Sequence, residues 1–163
     1  MTDQAKRDID AIKLQEELLI FESFDQNTAW QLGSLLRERA FQNNWPIVID
    51  IRAGETPLFY AALPGTNPAN SDWARRKRNL VNKLEASSYS IGLHMAIGQN
   101  ILEFMALDPR DHAPAGGCVP IRVRGAGMVG TCTVSGLPQR DDHKVVVEAM
   151  ADLLGVNLGD AAL

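Results

Sequence analysis

Apolar positions along the chain recur first at helical spacing, then in short strand-like runs, then at helical spacing again. Ile9, Ile12, Leu14, Leu18, Leu19 and Phe21 form an irregular stripe that predicts a leading helix from about Ile9 to Phe24. Asp25-Gln26-Asn27 breaks it, and Asp25 or Asn27 offers a short side-chain oxygen to cap a second helix. That helix carries Trp30, Leu32, Leu35, Leu36, Ala40 and Phe41 and stops before Asn43-Asn44. Pro46 to Arg52 is a near-continuous β-branched run and reads as a strand buried on both faces. Ala53 to Thr56 is turn material, and Pro57 to Leu63 completes a hairpin. Pro64-Gly-Thr-Asn-Pro68 is the strongest loop signal.

Helices are expected over about Ala69 to Glu85, capped near Asn70 or Ser71, and over Tyr89 to Asn100, beginning near Ser87-Ser88. Ile101 to Leu107 continues the second of these or turns, and Asp108 to Gly117 is a loop. Cys118 to Arg124 and Met128 to Val134 form a second hairpin around Gly125-Ala-Gly127. Gly136-Leu-Pro138 opens a last helix that runs to about Leu154, with Pro138 in its first turn. Hairpins separated by helices predict an α/β (α+β) fold, a largely antiparallel sheet with helices packed on it. One domain spans 1–163, with 1–24 as a leading helical segment that must cover its own domain or a neighbouring subunit.

Composition narrows the functional classes. A chain of 163 residues can bury a real core. Its net charge of -4 offers no basic footprint, so neither nucleic acid nor an anionic membrane is expected as a partner. No apolar run reaches the roughly 18 residues needed to span a bilayer. The polar start MTDQAKRDID lacks an export signal, which makes the cytoplasm the expected compartment. Cys118 and Cys132 fit it as free thiols, and without zinc-type spacing no metal site is expected.

Three segments can carry chemistry. On the helix from Ser71 to Leu84, Lys77 interrupts an apolar face made by Trp73, Leu80, Val81 and Leu84. A lysine there snorkels, takes an internal carboxylate, or meets an anionic ligand. Arg75, Arg76 and Arg78 cover the other faces as a solvated patch or an ion-pair network. At Val134-Ser-Gly-Leu-Pro-Gln-Arg-Asp-Asp-His143 a strand turns into a helix, whose free N–H groups form an anion site to which Ser135 and Gly136 contribute. Asp141 and Asp142 compete for that role as plain dipole partners, and Asp142 can orient His143. Gly116 and Gly117 allow close approach of a ligand, a subunit or the sheet itself, with His112 in the loop before them. His94 reads as a satisfied core or interface residue and Cys132 as packing.

These motifs resemble those of a known family. Gly116-Gly117-x-x-Pro120-Ile121, Gly127-x-x-Gly130 and Val134-Ser135-Gly136 with Asp142 resemble the C-terminal signature of the haem-degrading-domain family, the GlcG-like and HbpS-like proteins. Leu63-Pro-Gly-Thr-x-Pro68, Asn70-x-x-Trp73-x-x-Arg76-Lys77-Arg78-Asn79, Ser87-Ser88-Tyr89 and Val134-Ser-Gly-Leu-Pro-Gln139-x-x-Asp142-His143 resemble its uncharacterised bacterial and fungal subgroup. The likeness covers about Glu16 to Leu154. It implies a profilin-like fold and homo-oligomers built from dimers, with the N-terminal helix exchanged between subunits in some. Some members bind haem, so haem is one candidate cofactor for this chain.

Three functions are therefore expected to compete. The first is binding of a small anionic ligand, haem or an organic acid, by Trp73, Lys77, His112, Gly116, Gly117, Ser135 and Gly136. The second is an enzyme using His143 and Asp142 as an acid–base pair. The third is a structural or adaptor oligomer.

Overall fold

The computed structural model describes residues 2–163. Helix α1 (Asp3–Leu18) is capped by Thr2, whose hydroxyl accepts from Ala5 N. Strand β1 (Ile20–Phe21) follows at once. The leading helix thus ends before the Phe24 expected from the stripe, because Leu19 enters the core as its C-cap and Phe21 as a residue of β1. Asp25 caps α2 (Gln26–Gln42). The first hairpin is β2 (Val48–Ala53) and β3 (Thr56–Ala62). Asn67 and Asn70 form a capping box at α3 (Pro68–Leu84), one turn earlier than expected, with Pro68 in the first helical positions. Then come α4 (Ser88–Ala96), which stops short of Asn100, and α5 (Ile101–Phe104), a separate single turn. The second hairpin is β4 (Cys118–Val123) and β5 (Gly127–Ser135). Helix α6 (Gln139–Leu154) starts after Pro138, which is its N-cap and not a first-turn residue.

The five strands lie in the order β1-β4-β5-β2-β3, antiparallel except for the short β1–β4 pair. Period-two alternation gives this sheet two different faces. Ile49, Ile51, Phe59, Val119, Ile121, Cys132 and Val134 point to one side and pack with Leu32 and Leu36 of α2 and Val146 and Met150 of α6. Cross-strand partners on the opposite side are polar: Asp50 beside Thr133, Arg52 beside Thr131, and Cys118 beside Thr133. Helix α3 lies over that polar face, against β5, β4 and β2. A smaller apolar cluster of Leu80, Ile91 and Leu102 joins α3 to α4 and α5.

Helix α1 covers its own chain. Its inward face is Asp8, Ala11, Ile12 and Gln15, a spacing of three, one and three. Two of these four are polar, so docking is specified by hydrogen bonds. Asp8 accepts from Tyr89 Oη at 2.7 Å and from Arg140, while Gln15 donates to Ala161 O at 2.7 Å. Leu14 and Leu18, expected in the stripe, face outward. Among the described residues no helix is long and apolar enough to cross a membrane.

Candidate functional site

Lys77 is an interior residue, only 3% exposed. Its ammonium donates to Asp142 Oδ2 at 2.8 Å and to Val134 O at 3.2 Å. Asp142 is 1% exposed and also accepts from Gly136 N and Leu137 N. Of the readings open for Lys77, the internal carboxylate is the one realised. Burial raises the Asp142 pKa, while Lys77 and the two backbone N–H groups pull it down, and burial wins.

The backbone makes room for this pair. Gly117 has φ +129°, and a Cβ there would collide with Val134 O and come within 2.8 Å of Lys77 Nζ. A Cβ at Gly116 would strike the Gln139 carbonyl oxygen. The paired glycines thus serve the close approach of the β4 start to the β5–α6 turn, and with it the ion pair.

Above the pair is a cleft of about 280 Å³, between α3 and the β5–α6 turn. Trp73, Lys77, Ser135, Gly136 and Asp142 line it together with Asn70, Ala115, Leu137 and Gln139. Arg76 stacks on the Trp73 ring, 4.0 Å from its centroid, which fixes the indole as a wall. No side chain caps the N-terminus of α6. Asp142 N bonds Pro138 O, so the amides of Gln139, Arg140 and Asp141 precede the first intrahelical bond.

The other expected site residues lie elsewhere. His112 is outside this cleft, its Nδ1 bonded to Asp108 O at 3.0 Å. His143, although next to Asp142 in sequence, shares no hydrogen bond with it. Its Nε2 donates to Gln15 Oε1 at 2.9 Å, a direction fixed because the Gln15 amide nitrogen is committed to Ala161. Its Nδ1 is buried without a partner among the described residues. The structure therefore gives the expected acid–base pair separate environments, since successive helix residues point about 100° apart. Burial pushes the His143 pKa down to about 3, so the ring is neutral near pH 7. Cys118 and Cys132 are fully buried, which raises both thiol pKa values, Cys118 to about 12. Thiolate chemistry is thereby disfavoured at both.

Three groups escaped sequence reasoning. Asn70 and Gln139 complete the cleft, and both stand inside the quoted motifs. Gln15 holds His143 across 128 residues, a contact with no local signal. Asp50 and Arg52 join Arg78, one of the arginines read as a solvated patch or an ion-pair network, in a second ion cluster around the buried Asp50, hinted at on the sheet side only by charges at the end of a β-branched run.

A central sheet with α2 and α6 on its apolar face, α3 on its polar face and a cleft at the end of β5 defines a profilin-like α/β domain. The chain belongs to the HbpS-like family: the family description "Haem degrading protein HbpS-like" matches residues 24–151. A "UPF0303 protein" of Azotobacter vinelandii is 50% identical over 158 residues, covering 96% of this chain and 95% of the relative. The crystal structure of Ybr137w superposes with TM-score 0.81 at 25% identity, over 90% of this chain and 87% of that one. A structure titled "PduOC:Heme Complex" gives TM-score 0.64 at 20% identity, over 81% of this chain and 94% of that one, and shares the fold.

Two outcomes follow for the buried groups. Lys77→Met strands the Asp142 carboxylate and should cost about 3–5 kcal/mol in urea denaturation, whereas Lys77→Met with Asp142→Asn should recover most of that. Equal losses in both variants would show that the pair does not act as a unit. For His143, the unfolded ring binds a proton near its ordinary value of 6.5 and the folded ring only at about 3. Stability should therefore fall as pH drops from about 7 to about 5, by up to about 1.4 kcal/mol per pH unit from this group. Denaturation of His143→Gln across the same range should show a shallower decline than the parent protein.

Proposed function

We propose that the protein binds a small organic anion in the cleft between α3 and the β5–α6 turn. The observation that carries this reading is the Lys77–Asp142 pair at a cleft that also receives the uncapped α6 N-terminus. An ammonium carries three N–H groups, and protein acceptors take two of them. Because Asp142 already balances the lysine, a ligand carboxylate takes its compensation from the α6 amides and dipole. Trp73 supplies an apolar wall, and Asn70, Ser135 and Gln139 supply directional hydrogen bonds. At about 280 Å³ the cleft sits at the small end of ligand pockets, which suits an acid of a few carbons.

Haem suits this cleft poorly. No histidine lines it, and His143 is engaged with Gln15. His94 and His112 each bond a backbone carbonyl through Nδ1, but neither lines any of the larger clefts described. The residues present do not assemble a porphyrin pocket within one chain. We also read the protein as a homo-oligomer, supported by the large apolar side chains left on its surface, Phe104 at 88% exposure and Trp30 and Phe41 at 65%.

Calorimetric titration of the intact protein with acetate, lactate and succinate tests the ligand reading. At least one should bind saturably, and Trp73→Ala should weaken it about tenfold, a loss near 1.4 kcal/mol. Unchanged affinity in Trp73→Ala would remove the ligand from this cleft. Haem titration followed by absorption should show no saturable one-to-one complex; a saturable band shift abolished by His94→Ala or His112→Ala would overturn the exclusion.

A further inference from the structure

Helix α3 has a second working flank. Ser71, Arg75 and Arg78 follow each other at spacings of four and three, on the side away from Asn70, Trp73 and Lys77. They face β2 and β3 across a cleft of about 450 Å³, and none of its lining residues is shared with the Trp73 cleft.

The sheet side of this cleft is set by register. Asp50 and Arg52 are two apart on β2 and so share a face, and Asp50 is directly opposite Tyr60 on β3. The β2–β3 ladder then slips between Ile51 and Arg52, leaving Leu58 without an opposite residue. Such a bulge bends the strand that carries the extra residue, here β3 beside Pro57, which lines the cleft.

Asp50 is 1% exposed and holds two guanidinium groups at once. Arg52 Nε donates to its two oxygens at 2.8 and 3.1 Å, and Arg78 Nη1 donates to Oδ2. One carboxylate against two cations leaves a positive excess in the cleft wall. Arg75 does not add to it in full, because it is tied to Asp72 and Asp111.

Donors remain uncommitted. Arg78 is 7% exposed, yet its Nε has no acceptor among the described residues. An unsatisfied N–H on a buried cation is an exception that calls for a partner. Arg52 spends Nε on Asp50 and Nη1 on Glu55 O, with no bond from Nη2 among the described residues. At the rim, the hydroxyls of Tyr60 and Ser71 bond each other at 2.8 Å and can turn toward an acceptor.

We propose that this cleft is an oxyanion site, where Arg52 and Arg78 receive a phosphate or carboxylate group of a small molecule and Tyr60 donates to it from the rim. Guanidinium edges match both groups geometrically, and Asp50 pre-orients them so that little side-chain freedom is lost on binding. The site is independent of the organic-anion cleft, because α3 separates the two.

Inorganic phosphate titrated into the intact protein at constant ionic strength tests this, with chloride as balancing salt and acetate in a parallel series. The readouts are the thermal midpoint and the arginine Nε–H signals in NMR. Phosphate or acetate should raise the midpoint saturably by several degrees and shift a small set of arginine signals. The more effective anion identifies the group that the site takes. Arg52→Gln should weaken binding about tenfold, the loss of one charge-assisted contact. Tyr60→Phe, an exposed position outside the ion cluster, should weaken it severalfold and decides the matter if Arg52→Gln does not fold. Trp73→Ala, which belongs to the other cleft, should leave the phosphate response unchanged. A non-saturating response to both anions, full binding in Arg52→Gln or Tyr60→Phe, or loss of phosphate binding in Trp73→Ala would overturn the assignment.

Discussion

The buried pair of Lys77 and Asp142 is the constraint on which the rest of the molecule depends. It ties the middle of α3 to the first turn of α6 across the end of β5. Burying two charges is costly, and attraction offsets that cost only when the remaining hydrogen bonds are also made. Here they are: Val134 O takes a second lysine N–H, and two backbone amides take the carboxylate. Gly117 permits the geometry by having no side chain where the ammonium lies. On the other flank Arg78 reaches Asp50, so α3 is held at two points on the sheet. Both clefts exist because α3 is fixed in this way.

The two sides of the sheet divide the work. The side under α2 and α6 is apolar and supplies the main core. The side under α3 carries Asp50, Arg52, Thr131, Thr133 and Ser135, and its packing is specified by pairing of charges and hydroxyls. Helix α1 docks by the same means, through Asp8 and Gln15. Polar contacts of this kind are directional, so they set position more sharply than apolar burial does. One consequence is that His143 is a structural histidine: its ring is dry, its Nε2 proton is used by Gln15, and its basicity is suppressed.

Membership of the HbpS-like family places the chain among proteins described by haem degradation, yet its own clefts are built from cations paired with buried carboxylates, from amides and from hydroxyls. A shared fold leaves the chemistry open, since function is decided by the groups a particular chain places at its clefts. On the proposed reading those groups serve small anions. The two sides of one helix offer different surroundings for them: a tryptophan wall and a helix N-terminus on one, a guanidinium pair on the other.

The order of elements, the two hairpins and the polar helix turning over Lys77 were legible in the sequence, because periodicity and turn residues are local properties of the chain. The family resemblance and the membership of Trp73, Lys77, Ser135, Gly136 and Asp142 in neighbouring motifs were legible too. The ends of α1 and α4 were not, since Leu19 and Phe21 fit a helical stripe as well as a strand, and only the empty edge of β4 selected the strand. Nor could sequence tell that Asp142 faces Lys77 while His143 faces Gln15, because that depends on how α6 is rotated against α1 and α3. The chain by itself determined which residues were available for chemistry and on which elements. Tertiary packing alone decided their partners, because an ion pair 65 residues apart and a hydrogen bond 128 residues apart are set by the meeting of surfaces and have no local pattern.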